Sequence, residues 1–167
     1  MAEQERNSVY GIIRIGGFMA REAIIEMDCS RYSEKIIDII NLFNNVGWKY
    51  YDGDENVEYL PLGDDDDFDW QKQNLSEKDL CDLVNRKQAA FEIVGINLFY
   101  NDSNEGITFL ASNTKEIVLN LNLYRRTLND DSRDSITDIG WYFDNIIQKI
   151  KEKECPIDYI KFEEYEG

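Results

Sequence analysis

The sequence predicts a single α+β domain spanning residues 1–167, a mainly antiparallel sheet with about three helices packed on it. Three observations carry that prediction. From Phe91 to Tyr124 the apolar residues follow period two through three successive runs, FEIVGINLFY, GITFLASN and EIVLNLNLY, which read as an antiparallel meander. Segments near 33–45, 76–87 and 135–154 instead repeat their apolar residues at helical spacing. No internal repeat and no Pro- or Ser-rich linker divides the 167 residues, a length that suits one domain of roughly 100–200 residues.

In chain order, VYGIIRI (Val9 to Ile15) reads as a strand ended by a Gly16-Gly17 turn. AIIEM (Ala23 to Met27) fits its hairpin partner, and fits a short helix almost as well. Ser30 or Ser33 can cap the first helix, whose period is set by Ile36, Ile37, Ile39, Ile40 and Phe43, and Gly47 suits its left-handed end. Trp48 to Trp70 holds two strand-like pieces, WKYY and VEYL, among Gly, Pro and acidic turns. In the second helix Ser76 and Asp79 form a capping box, with Leu75 and Leu80 as a hydrophobic staple.

The third meander strand places Ile117, Leu119, Leu121 and Leu123 on one face. Val118, Asn120, Asn122 and Tyr124 lie on the other, so one face is expected to be core and the other wet. The third helix is expected to start at Ser135, boxed by Asp138, with Ile136, Ile139, Phe143, Ile146, Ile147 and Ile150 as its buried stripe. Pro156 stops it, and IDYIKF reads as a final edge strand.

Charge narrows the function. With 18 Lys+Arg against 34 Asp+Glu the formal net charge is −16, and there is no histidine. So negative a surface repels phosphate, which argues against direct binding of nucleic acid or of an anionic membrane and for a basic protein partner. The absence of histidine removes Ser-His and Cys-His nucleophile pairs and imidazole metal sites. Cys29, Cys81 and Cys155 form no CxxC pair and read as reduced, mostly buried thiols. A polar, charged beginning and no apolar run of ~18–20 residues lead to the expectation of a soluble cytoplasmic protein.

No catalytic grammar is present. Gly11 and Gly16 have the first P-loop spacing, but Gly17 and Phe18 stand where Lys and Ser or Thr are needed, and GxGxxG and GxSxG are absent. Arg125-Arg126 reads either as an anion clamp or as a strand-end surface feature. Asp130-Asp131 shows no sign of acid–base work. No enzymatic activity, cofactor or metal is expected.

The densest feature is the segment 52–69. Asp52, Asp54, Glu55, Glu58, Asp64, Asp65, Asp66, Asp67 and Asp69 place nine acids in eighteen positions without one Lys or Arg. Trp48, Tyr50, Tyr51, Tyr59, Phe68 and Trp70 interleave with them. Three readings of the segment are open. It is a solubilising loop; or an acidic binding surface, with carboxylates for steering and Tyr59 and Trp70 as anchors; or a metal site. For the last, Asp52-x-Asp54-x-Asn56 begins like a calcium loop, but Val57 and Gly63 stand where Gly and Glu are required.

An acidic α+β domain of this size, with Tyr and Trp near carboxylates and no catalytic motif, resembles the immunity proteins of bacterial toxin systems, including contact-dependent inhibition and colicin immunity. The resemblance lies in overall character across the chain, not in a diagnostic motif. It implies a cytoplasmic protein that binds a cognate toxin domain, a basic nuclease, and blocks its cleft. An alternative of another class is a phage or plasmid DNA mimic that inhibits a restriction or CRISPR nuclease, and a third is a cation-dependent hydrolase built on Asp64 to Asp69. Nothing in the residues sets the oligomeric state.

Overall fold

The computed structural model describes residues 21–128 and 135–166, so the expected strand at 9–15, its Gly16-Gly17 turn and the Asp130-Asp131 pair lie outside the described residues. The strands are β1 (Glu22–Asp28), β2 (Trp48–Lys49), β3 (Val57–Tyr59), β4 (Gln71–Gln73), β5 (Val94–Tyr100), β6 (Gly106–Ala111), β7 (Ile117–Asn120) and β8 (Tyr159–Tyr165). All pair antiparallel in one sheet of order β4-β3-β5-β6-β7-β1-β8, with β2 paired to β5. The helices are α1 (Ile36–Asn45), α2 (Glu77–Ala89) and a third, α3, made of Ile139–Tyr142, a π turn over Phe143–Ile147, and Gln148–Glu152. This is the expected α+β domain with three helices. Among the described residues no helix is long and apolar enough to cross a membrane.

The meander is β5-β6-β7, as the alternation predicts. AIIEM is a strand, inserted between β7 and the edge strand β8. Its register builds a transverse apolar row, Ile96–Phe109–Leu119–Ile25–Phe162, along the helix-covered face. Phe43 of α1 meets Phe109 edge-on at 5.8 Å, and Leu80 and Val84 of α2 and Tyr142, Ile146 and Ile150 of α3 close the same core. Burial of these side chains is the main favourable term holding helices to sheet.

Local grammar explains most helix ends and corrects two. Ser76 caps α2 as expected, its Oγ accepting from the Asp79 amide at 3.0 Å, and Gly47 follows α1 at φ +104°. But α1 begins at Ile36, behind an Ncap Lys35 whose side chain does not cap. Ser33 instead accepts the Lys35 amide and donates to Asp38, and the Ile36 amide is taken by Gln88 Oε1 from α2 at 2.9 Å. Likewise α3 starts at Ile139 with Asp138 as its own cap, not at Ser135, because Thr137 is drawn into a bridge with Thr127.

The expected α3 stripe is also shifted. Ile136 is 57% exposed and Phe143 only half-buried, whereas Tyr142 is fully buried. The π turn rotates the following residues relative to an ideal helix. It presents the Asn145 carbonyl to the indole Nε1 of fully buried Trp48 (2.9 Å) and the Asn145 Oδ1 to the Tyr100 hydroxyl (2.9 Å).

The opposite sheet face is not simply wet. Ile24, Leu110 and Val118 join Leu60 and Ile93 in a second apolar cluster, against which Phe68 and Trp70 pack. Beside it runs a polar chain: Thr108 Oγ1 donates to Asn97 Oδ1 (2.7 Å), and Asn97 Nδ2 to Glu58 Oε2 (2.8 Å). Leu60 crosses directly over Gly95, where a Cβ would lie 2.5 Å from Leu60 Cδ1. The second half of the acidic segment, with Leu60 and Phe68, and Trp70 just after it roof this cluster.

Candidate functional site

The acidic segment divides into acids that build the loop and acids that face solvent. Asp52 organises the first turn: its Oδ1 accepts the Asp54 (2.9 Å) and Asn56 (3.0 Å) amides, and its Oδ2 pairs with Lys72 at 3.1 Å. The hydrogen bond from Asn56, with the others and the Lys72 ammonium, holds its carboxyl below the usual carboxylate range. Glu58, on β3 opposite Lys72 of β4, is bound by Asn97 and lies 3.8 Å from the same ammonium. Asp64 is buried at 6% exposure and turned inward, accepting the Asp67 (3.1 Å), Phe68 (3.1 Å) and Asp69 (2.7 Å) amides. Asp65 accepts the Ile93 amide at 3.1 Å.

Lys87 locks this loop to α2. It is 1% exposed, and its Nζ donates to the carbonyls of Pro61 (2.6 Å) and Asp64 (2.7 Å) while lying 3.3 Å from Glu92 Oε2. Glu92 in turn accepts the Gly63 amide through both oxygens. The aspartates on the outside are Asp65, itself tied to Ile93, and Asp66, Asp67 and Asp69, which project from a frame fixed at its base by one buried cation and a set of backbone bonds. Asp54 and Glu55 are exposed on the first turn.

The aromatic anchors need correction. Tyr59 is 7% exposed inside the main core, where its strand pairs with Ile96 of β5, so it holds β3 down and offers no ring to a partner. Trp70 and Phe68 are half-buried against the second cluster. Asp64 is likewise withdrawn from any interface by its own loop. In the calcium-loop and aspartate-run readings the carboxylates diverge: Asp52 is held by Lys72, Asp64 faces backbone amides, and Asp65 reaches across to Ile93. Among the described residues no group of three or more potential ligands is placed to hold a metal ion.

The structure adds apolar residues that sequence reading missed. Phe91, expected to open the first meander strand, instead sits at the end of α2 with φ +58° and 87% exposure. Its chain neighbours Glu92 and Ile93 are the residues bonded to Gly63 and Asp65, so the exposed ring stands at the edge of the acidic loop. Leu62, 40% exposed, borders a shallow depression together with Arg86, Ala89, Ala90 and Glu92. A signal for Lys87 was present: Leu80, Val84 and Lys87 follow i, i+4, i+7, which puts a cation on the buried stripe. Phe91 carried no such signal, since an alternating run beginning with Phe is ordinary strand grammar.

The Arg125-Arg126 pair is engaged with groups of the same chain. Arg125 donates to the Ser135 carbonyl (2.7 Å) and to Thr137 (2.9 Å). Arg126 pairs with Glu105 (3.1 Å) and Asp138 (3.3 Å) and lies over the Trp141 ring. β7 ends at Asn120, so the arginine pair lies beyond the strand, with its guanidinium groups bonded within the chain. A cleft of about 410 Å³ between the β2 end and the β5–β6 turn contains Asp52 and Glu105, both already paired with cations. Comparison of the chain with family models, with curated proteins and with solved structures gives no match.

Proposed function

We propose that this chain is an inhibitory binding protein of the toxin-immunity type, which occupies the cationic cleft of a basic toxin domain, a nuclease, and acts by occupancy and not by chemistry. The observation that supports this reading is the rigid mounting of the acidic loop. A segment needed only for solubility has no use for a fully buried lysine bonded to two of its carbonyls or for a carboxylate spent on three of its amides. Such clamps reduce the entropy lost when Asp66, Asp67 and Asp69 meet a partner. A nuclease cleft is positive because its substrate is an anion, and fixed carboxylates speed encounter with it.

Within this reading Phe91 and Leu62 replace Tyr59 as the apolar contacts, and Asp66, Asp67 and Asp69 are the steering charges. The test is stopped-flow association with the purified product of the adjacent reading frame, across a range of salt. Changing Asp66, Asp67 and Asp69 to Asn slows association and flattens its salt dependence, because screening sets in over ~10 Å at 0.1 M salt. Phe91→Ala speeds dissociation. Association of unchanged rate and salt slope in the triple variant overturns the role of this loop.

A further inference from the structure

The two edges of the sheet differ. β4, at one end, is three polar residues, Gln71–Gln73. β8, at the other, runs for seven residues, Tyr159–Tyr165, with an unbroken register against β1 and no proline. The hydrogen-bond alternation of β1 fixes which backbone groups β8 turns outward. The Leu121 amide donates to the Ala23 carbonyl at 2.9 Å, so Ala23 faces β7, while Glu22, Ile24, Glu26 and Asp28 face β8. Their partners Tyr165, Glu163, Lys161 and Tyr159 face back to β1. The N–H and C=O of Ile160, Phe162 and Glu164 therefore point away from the sheet. Among the described residues no backbone group takes them. The edge is also accessible and partly apolar: Tyr159 is 40% and Ile160 37% exposed. Ile136, exposed as well, adjoins Thr137, whose amide is held by the Glu164 carboxylate.

We infer that β8 is a self-association edge, which pairs antiparallel with β8 of a second copy of this chain about a two-fold axis at Phe162. An open, regular edge strand is a template for another strand, and the order of side chains here selects a copy of itself. Ladder bonds are exchanged between outward-facing residues, so the registers with more than one bonded pair place the axis at residue 161, 162 or 163. An axis at Lys161 sets that lysine against its own copy, and an axis at Glu163 does the same to the glutamate; both oppose like charges. An axis at Phe162 sets Lys161 opposite Glu163 of the second copy, twice over, and Tyr159 opposite Tyr165. It also uses all three outward residues of both strands, with Phe162 facing itself and Ile160 facing Glu164. The most bonds and the best charge match thus fall in the same register.

A net charge of −16 on each copy works against the contact, so pairing is favoured by salt and by high protein concentration. β3 and β4, which carry the acidic loop between them, lie at the far end of the strand order, and the pairing makes no use of that loop.

The test is sedimentation equilibrium of the full chain at about 0.3 M salt, where charges more than roughly 6 Å apart are screened but directly opposed pairs still interact. Hydrogen exchange is read at single amides on the same samples. Expected is a rise from monomer to dimer mass as concentration approaches about 1 mM, with slowed exchange at the Ile160, Phe162 and Glu164 amides. Lys161→Glu and, separately, Glu163→Lys each weaken association about tenfold, because two opposed pairs become like-charged. The double variant, Lys161→Glu with Glu163→Lys, restores it. Ile160→Pro, which removes an outward N–H and none of the bonds to β1, abolishes it. Melting temperatures taken alongside identify a variant that does not fold, and the wild-type arms need no variant. A monomer at every concentration overturns the inference. So does a dimer without protection at those three amides, or one that both single charge changes leave unaltered. No toxin is needed for any of these readouts, so they stand or fall apart from the inhibitory reading.

Discussion

Lys87→Met isolates the clamp on the acidic loop, because methionine keeps the apolar stem and removes only the ammonium. Two carbonyls, Pro61 and Asp64, lose donors at 2.6 and 2.7 Å, and Glu92 loses a cation at 3.3 Å. Removing one partner of a buried charge pair costs about 3–5 kcal/mol. Glu92 keeps 16% side-chain exposure and recovers part of its hydration, which places the expected loss near the lower end, about 3 kcal/mol. For a domain of this size that lowers the melting temperature by roughly 10 °C, at about 2–4 °C per kcal/mol. Urea unfolding followed by tryptophan fluorescence measures the loss, and hydrogen exchange at the Asp67, Phe68 and Asp69 amides measures loop release. A destabilisation below about 1 kcal/mol, with those amides still protected, would refute the claim that Lys87 mounts the loop.

Four further outcomes are expected. Asp64→Asn destabilises by about 2 kcal/mol in thermal melts, because it sets an amide NH₂ against backbone donors, whereas Asp66→Asn leaves the melting temperature unchanged. Tyr59→Ala costs about 3 kcal/mol of unfolding free energy as a core truncation, and equal stability to wild type would return Tyr59 to the surface. Gly95→Ala costs about 1–3 kcal/mol, since its methyl drives Leu60 off the sheet and loosens the roof over the second cluster. Burial pushes the Tyr142 hydroxyl up to about 12 from 10.0. The folded chain then holds a proton that the unfolded chain releases between those values, so stability falls with rising pH there, by at most about 1.4 kcal/mol per pH unit. Alkaline melts of Tyr142→Phe should show a shallower slope over that window.

Period two in residues 91–124 and helical spacing in three segments were enough to read the meander and the helices, because those patterns report which face is buried. What the sequence left open was set by distant partners. AIIEM is a strand because β7 and β8 flank it, and nothing inside those five residues distinguishes that from a helix. Ser135 loses the α3 cap to Asp138 because Thr137 bridges Thr127. The acids of 52–69 were legible as a group, yet their division into inward Asp64 and outward Asp66 depends on where Lys87 and the loop amides lie. Tyr59 and Phe91 exchange roles because β3 pairs Tyr59 with Ile96 in the core, while Phe91 leaves the end of α2 in a left-handed conformation.

The roof formed by residues 60–70 has a consequence for how this chain can change over generations. Surface loops ordinarily absorb insertions and deletions. Here Leu60, Phe68 and Trp70 must stay on the second cluster while Asp64 stays within reach of three amides, so the spacing between them is fixed. A lengthened or shortened loop lifts the roof and exposes Ile24, Leu110 and Val118. Diversification is channelled into side-chain identity at Leu62, Asp66, Asp67 and Asp69, which can be exchanged without moving the backbone. Sister lineages should therefore differ in the residues they display at those positions, and hardly at all in loop length.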